Sequence, residues 1–232
     1  MPGQDFCEAD LYAPVRDHFI ALGFDVKGEV RNCDVVAVKD DILVSVELKK
    51  TFGLKLVYQG LDKQASSDLV YLAIPAVLKK GRGKRSPVED MKRLCRRTGL
   101  GLLEVYGQTV QVLCEAEPTH ARSTSARRKR ILKEFRARSG DHNIGGTTGV
   151  KRVTAFIENS VLLAMLARED GSVTPAKGRE AGVETSSAIL SRNHLGWFSK
   201  LARGEYALTE EGMKGLQTYA HVVETQTTLR NA

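Results

Sequence analysis

The residues with the clearest capacity for chemistry lie in one short stretch, CDVVAVKDDILVSVELKK, residues 33–50. Asp34 opens one apolar alternating run, Glu47 and Lys49 close the next, and Asp40-Asp41 lies between them. Alternation of this kind predicts two strands of a hairpin. If the turn centres on Asp40-Asp41, a two-residue loop, or a four-residue loop over 39–42, makes facing residue numbers sum to 81, and Asp34 then faces Glu47. Facing side chains have Cβ atoms about 4.5–5.5 Å apart on one side of the sheet. Lys49, two residues beyond Glu47, shares that side. A three-residue loop or a bulge would break the register.

Two facing carboxylates repel and destabilise a sheet. A divalent cation removes the conflict. Mg²⁺ or Mn²⁺ held by one or two carboxylates keeps several waters and leaves room for a substrate phosphate. Such an ion polarises a phosphoryl oxygen and acidifies water, while a lysine beside it orients the water or offsets developing charge. The pattern therefore points to metal-assisted hydrolysis of a phosphate ester. The competing reading is an edge salt bridge between Asp34 and Lys49 with Glu47 a bystander.

The elements that must position these residues follow from periodicity. Over residues 7–22, Leu11, Val15, Phe19 and Leu22 recur at helical spacing, with Gly23 as a stop and Pro14 in the first turn or at a bend. FDVKGEV, DVVAVKD and ILVSVELKK alternate as strands, a short helix follows near 55–66, and DLVYLAIP is a buried strand. After the basic run LKKGRGKR at 78–85, a helix is expected with Ser86 as cap, Pro87 first and Gly99 as stop. GLLEVY and TVQVLCE give two more strands joined at Gly107-Gln108. The order is helix, three strands, helix, strand, helix, two strands, an α/β layered domain over residues 1–118.

That order, with D-(x12)-E-L-K at the end of a strand pair, resembles the PD-(D/E)XK, or restriction-endonuclease-like, superfamily over residues 5–76. More narrowly, the chain resembles a bacterial family described as PD-(D/E)XK phosphodiesterases. Cys33 stands where the motif has proline, a departure at a position that varies. The resemblance implies a mixed sheet flanked by helices, with Asp34 and Glu47 as metal ligands and Lys49 assisting the attacking water. It also implies that Glu8, on the first helix, adds a third acid to the metal site, and that Gln59 faces it from the helix after the motif. A helix-end acid complementing the macrodipole is the competing role for Glu8. Gln64 is the rival of Gln59, a surface or capping role is open for both, and Lys63 is expected at the surface.

The second half has a different grammar. Residues 119–151 turn to Arg, Ser, Thr and Gly and read as a basic linker or arm; HNIGGTTG at 142–149 is expected to be a flexible connector, lacking the G-K-[ST] of a phosphate loop. Between 119 and 152 ten Lys/Arg face Glu134 and Asp141, a local excess of +8 in a chain of net charge +7. Such clustering favours polyanions, and Arg127, Arg128, Lys129 and Arg130 are its densest group. From residue 152 to 232 the sequence resembles a winged helix-turn-helix domain. Val161, Leu162, Met165 and Leu166 form a first apolar helix, Thr174-Pro175 starts a second, and Gly182 makes the turn. Thr185 or Ser186 caps a third helix, whose polar residues Ser187, Ser191, Arg192 and Asn193 would be the recognition set. GWFSKLARGEYALT reads as a two-stranded wing turning at Arg203-Gly204, with Trp197 and Phe198 in the core and Thr209 capping a closing helix. A winged helix used for protein contact is the competing reading.

Composition bounds the rest. The 232 residues, 42% of them apolar, suffice for a globular core. Cys7, Cys33, Cys95 and Cys114 form no zinc pattern and fit a reduced, cytoplasmic setting. The N-terminus has no signal-peptide pattern and no run approaches 18 apolar residues, so neither secretion nor a membrane span is expected. The scattered histidines support no Ser/His/Asp hydrolase, and Asp141-His142-Asn143 is too little for a histidine nuclease. The sequence thus leads to a metal-dependent nuclease acting on DNA. Cutting both strands would favour a homodimer. The alternative is a DNA-binding regulator with an idle nuclease-like domain, and a protein-interaction module is a third possibility.

Overall fold

In the computed structural model, residues 7–76, 87–118, 126–147 and 149–231 are described. The basic run 78–85, Ser86 and Arg122 lie outside them. The chain divides into two compact units, residues 1–136 with 143–152, and residues 137–142 with 153–232.

In the first unit Asp40, at φ +52°, and Asp41 make a two-residue turn between the directly paired Lys39 and Ile42. The turn joins β2 (Cys33–Lys39) to β3 (Ile42–Leu48), with β1 (Asp25–Val30) antiparallel on the outer side of β2. α2 (Leu54–Gln64) crosses from β3 to the parallel β4 (Leu69–Pro75), and α3 (Pro87–Thr98) from β4 to the parallel β5 (Gly101–Tyr106). β6 (Thr109–Cys114) returns antiparallel, giving a mixed six-stranded sheet in sequential order. Central strands buried on both faces read as continuous Val/Ile/Leu runs, as β4 does here.

One face of the sheet carries Val35, Ala37, Val44, Val46, Leu48 and Tyr71, covered by Leu11, Val15 and Phe19 from a 3-10 turn (Glu8–Leu11) and α1 (Tyr12–Ala21). Pro14 lies in the first turn of α1, where its missing N–H costs nothing. Leu22, expected on this buried face, is instead exposed just past the helix end, where Gly23 at φ +83° reverses the chain. The opposite face is shared. Val70, Leu72 and Leu102 pack on Leu56 and Val57 of α2 and Cys95 of α3. Val30, Cys33, Val36 and Leu43 pack on Ile131 and Phe135 of α4 (Ala126–Ala137).

α4 differs from the linker expected at 119–151. Arg128, Ile131 and Phe135, spaced three and four apart, form one buried helix face, so the basic segment contributes to the core of this unit.

The second unit orders α5 (Ala155–Asp170), α6 (Pro175–Glu180), α7 (Ser186–Arg192), a hairpin of β7 (Phe198–Ala202) and β8 (Glu205–Leu208), α8 (Glu210–Thr218) and α9 (Ala220–Asn231). Thr154, Thr174 and Thr209 cap α5, α6 and α8 with their hydroxyls. Leu163, Met165, Leu190, Trp197, Phe198 and Leu216 form its core. Among the described residues no helix is long and apolar enough to cross a membrane.

Candidate active site at the end of the β2–β3 hairpin

The hairpin register is Val35↔Val46, Val36↔Ser45, Ala37↔Val44, each pair summing to 81. One step further along, Asp34 and Glu47 stand across from each other on the α2 and α4 side of the sheet. Backbone pairing ends there, and the Asp34 carboxylate replaces it by accepting the Leu48 N–H at 2.9 Å. Glu47 is 2% exposed. Its partner on β4 is Leu72, and its charged neighbours are Asp34, Lys63 and Lys49.

α2 lies close because Gly60 has no side chain; a Cβ there would come within 2.8 Å of Leu72 and 3.1 Å of Leu100. This closeness brings Lys63 over the acids, while Gln59 is a half-buried residue of the same helix with no hydrogen bond to either acid. Lys63 Nζ is 3.4 Å from Glu47 Oε1 and donates to the Asn32 carbonyl at 2.7 Å. Lys63 is therefore buried, which corrects the surface position expected from sequence. The signal was its spacing, since Leu56, Gly60 and Lys63 share the buried stripe of α2. Gln64, the alternative to Gln59, donates instead to the Thr98 carbonyl at 2.8 Å, away from the acids.

Lys49 sits at the C-terminal end of β3, with its N–H bonded to the Ala73 carbonyl at 3.1 Å. Its ammonium meets Glu8 Oε2 at 2.6 Å. Glu8 is presented by the 3-10 turn, which Asp10 holds by accepting the Cys7 N–H at 2.7 Å.

The electrostatics follow from this crowding. Burial is the main cause raising the Glu47 carboxyl, with the Asp34 charge adding to it and Lys63 and Lys49 opposing; the result is about 7. Burial also raises Asp34, against the Leu48 N–H and the two lysines, with Glu8 raising it further. Glu47 Oε1 and Gln59 Oε1 are both buried without a hydrogen bond. Two partly desolvated carboxylates, one with an oxygen lacking a hydrogen bond, are a donor pair suited to a hard divalent cation, which takes one or two carboxylates and completes its shell with water. Glu8 is engaged by Lys49, and among the described residues no three His, Cys, Asp or Glu groups are already assembled as a metal cluster. The pair Asp34 and Glu47 fits such an ion; the three-acid set does not stand ready.

Sequence gave no signal for a further wall of the site. Residues 143–147 pass against Tyr12, Asp34 and Glu8: a Cβ on Gly145 would lie 2.4 Å from the Asp34 carbonyl, and one on Gly146, at φ +76°, would lie 3.1 Å from that of Glu8. Glu29, at φ +50° and 2% exposed, accepts from the Gly146 N–H at 3.0 Å and meets Arg152 at 2.6 Å. Part of the stretch read as a flexible connector is thus built into the site region.

Of the expected nucleic-acid contacts, Lys129 and Arg130 are exposed on α4, and Arg127 is exposed but paired with Asp62 at 3.0 Å. Arg128 is 6% exposed and bonds Asp68 at 2.7 Å and the Asp41 carbonyl at 2.6 Å, which ties α4 to the hairpin. Its place on the apolar face of α4 explains the departure. Ser187, Ser191 and Arg192 are exposed on α7. Asn193, left-handed at φ +44°, exchanges hydrogen bonds with the Phe198 backbone at 2.6 and 3.1 Å and so shapes the turn into β7.

A family model matches residues 102–215. Its description is "Putative PD-(D/E)XK phosphodiesterase (DUF2161)". The match spans just under half of the chain and supports the PD-(D/E)XK reading. Glu8, Asp34, Glu47, Lys49 and Gln59 lie before the matched region. No curated protein and no solved structure matches the chain.

Proposed function

We propose that the chain is a metal-dependent phosphodiesterase that hydrolyses nucleic acid, with DNA as substrate. The observation that carries this reading is the hairpin register, which sets Asp34 beside a buried Glu47 whose Oε1 has no hydrogen bond. Asp34 and Glu47 would hold Mg²⁺ or Mn²⁺, and Glu8 would join them once freed from Lys49. When bound, the ion supplies Lewis acidity toward the phosphoryl oxygens and toward water. The chain's own groups do the rest. Lys49 orients the attacking water and offsets charge on the phosphoryl group, Gln59 offers an oxygen to the water network, and Lys63 opposes part of the burial that raises the Glu47 carboxyl. Glu47 must be a carboxylate to hold the ion, and its metal-free carboxyl is raised to about 7, so metal affinity should strengthen as pH rises toward that value.

The order of α5, α6, α7 and the β7–β8 hairpin supports a winged helix-turn-helix reading of the second unit. α7 would be the recognition helix, with Ser187, Ser191 and Arg192 facing the groove. Cutting both strands would require two copies, hence a homodimer on the substrate.

The test is cleavage of duplex and single-stranded DNA with Mg²⁺ or Mn²⁺. Glu47→Ala and Lys49→Ala should each lower the rate by at least about a hundredfold while DNA binding persists. Cleavage unchanged in both variants removes the assignment. A second reading, a DNA-binding regulator with an idle first unit, draws on the Glu8–Lys49 ion pair, which occupies both groups. It predicts salt-sensitive binding and no scission by the wild type under any divalent ion.

A further inference from the structure

A cavity of about 260 Å³ opens on the α2 and α4 side of the sheet, beside the acid pair. Arg31, Lys63, Arg127 and Arg130 line it together with Asn32 and Asp62. Four cations against one acid leave the walls at +3. Asp62 is spent on Arg127, at 3.0 Å, and Lys63 on Glu47, at 3.4 Å, so Arg31 and Arg130 set the character of the interior. Focusing of this kind within a concave wall favours anions far more than the same charges spread over a surface. The cavity is slightly below the roughly 300 Å³ at which pockets begin to hold drug-sized molecules, which suits one nucleotide unit.

Its position is as informative as its charge. Lys63 belongs to both places, within 3.4 Å of Glu47 and bonded at 2.7 Å to the carbonyl of Asn32. Asn32 and Cys33, on the cavity wall, immediately precede Asp34 in the chain. A strand whose phosphodiester lay at Asp34 and Glu47 would therefore have a neighbouring phosphate at the mouth of the cavity.

We propose that this cavity is a phosphate subsite for the nucleic-acid strand, with Arg31 and Arg130 as its principal ligands. It rests on the phosphodiesterase reading for its place in a reaction, but the binding itself does not need metal. Guanidinium groups suit the task because their planar donors pair bidentately with phosphate oxygens. The shared chemistry is a nucleotide phosphate, either inside the strand or at its end.

The experiment is fluorescence anisotropy of the full chain with a labelled oligonucleotide in EDTA, for the wild type and for Arg31→Glu, Arg130→Glu and Arg93→Glu. Arg93 is 58% exposed on α3 beside Asp90 and serves as the charge-matched control. Arg31→Glu and Arg130→Glu should weaken binding at least about tenfold and flatten the salt slope by about one, as expected for a lost phosphate contact. Arg93→Glu should stay within about twofold of wild type. If Arg31→Glu fails to fold, because its turn carries the carbonyl that Arg152 bonds at 3.1 Å, Arg130→Glu alone decides. Equal losses in all three variants, or losses under about twofold in both cavity variants, overturn the subsite. Removing the terminal phosphates of the oligonucleotide separates the sources: affinity falling to the variants' level assigns the cavity to a strand end, and unchanged affinity to an internal phosphate. A wild type that binds but fails to cut with every divalent ion supplied would end the phosphodiesterase reading while leaving the subsite intact.

Discussion

At the scale of single residues, Glu47 has the most to explain. An acid 2% exposed, whose Oε1 has no hydrogen bond and only a 3.4 Å ion pair with Lys63, is costly to fold unless it is protonated or meets a further cation. Its folded pKa of about 7 lies above the ordinary 4.5. The protonated form is therefore favoured by folding, and the stability it contributes is complete below about 4.5 and lost as pH rises through about 7. In EDTA the wild type should lose on the order of 2–3 kcal/mol relative to Glu47→Gln between pH 5 and pH 8. Thermal melts of both proteins at the two pH values test this. A parallel response would mean that Glu47 is not titrating there, and millimolar Mg²⁺ at pH 8 should restore the wild type alone. The pairing of Asp34 with Glu47 was legible from sequence because strand periodicity and a two-residue turn leave only one register. Lys63 was not, because a lysine on a helix ordinarily faces water, and only its spacing with Leu56 and Gly60 marks it as part of the buried stripe of α2.

At the scale of elements, the sheet order and its crossover helices followed from alternation and turn residues, whereas α4 and the 143–147 segment did not. Runs of Arg and Lys mask the apolar stripe of α4, which rests on two side chains, Ile131 and Phe135, plus the buried stem of Arg128. Phe135→Ala should cost about 3–5 kcal/mol by leaving a cavity against Val36 and Leu43, measured by urea denaturation; a loss below about 1 kcal/mol would show that α4 is dispensable. The 143–147 segment reaches Glu8, Glu29 and Asp34, partners more than a hundred residues away in sequence, so no local pattern announces it. Gly145→Ala forces a methyl within 2.4 Å of the Asp34 carbonyl and should lower cleavage at least about tenfold, while Gly53→Ala, with open space around it, should not. Equal activity in the two would remove that segment from the site.

For the whole molecule, charge and metal set the behaviour. The excess of +7 predicts binding that weakens roughly tenfold or more between 50 and 200 mM salt, the signature of counterion release. Titration of a labelled duplex in EDTA at the two salt concentrations measures it, and salt-independent affinity would favour the protein-contact reading of the second unit. Above all stands the claim that Asp34 and Glu47 share one divalent cation. A crystal soaked in Mn²⁺ and measured at the manganese absorption edge should show one anomalous peak in contact with both carboxylates. No peak there at saturating Mn²⁺, with the two side chains intact, would contradict it.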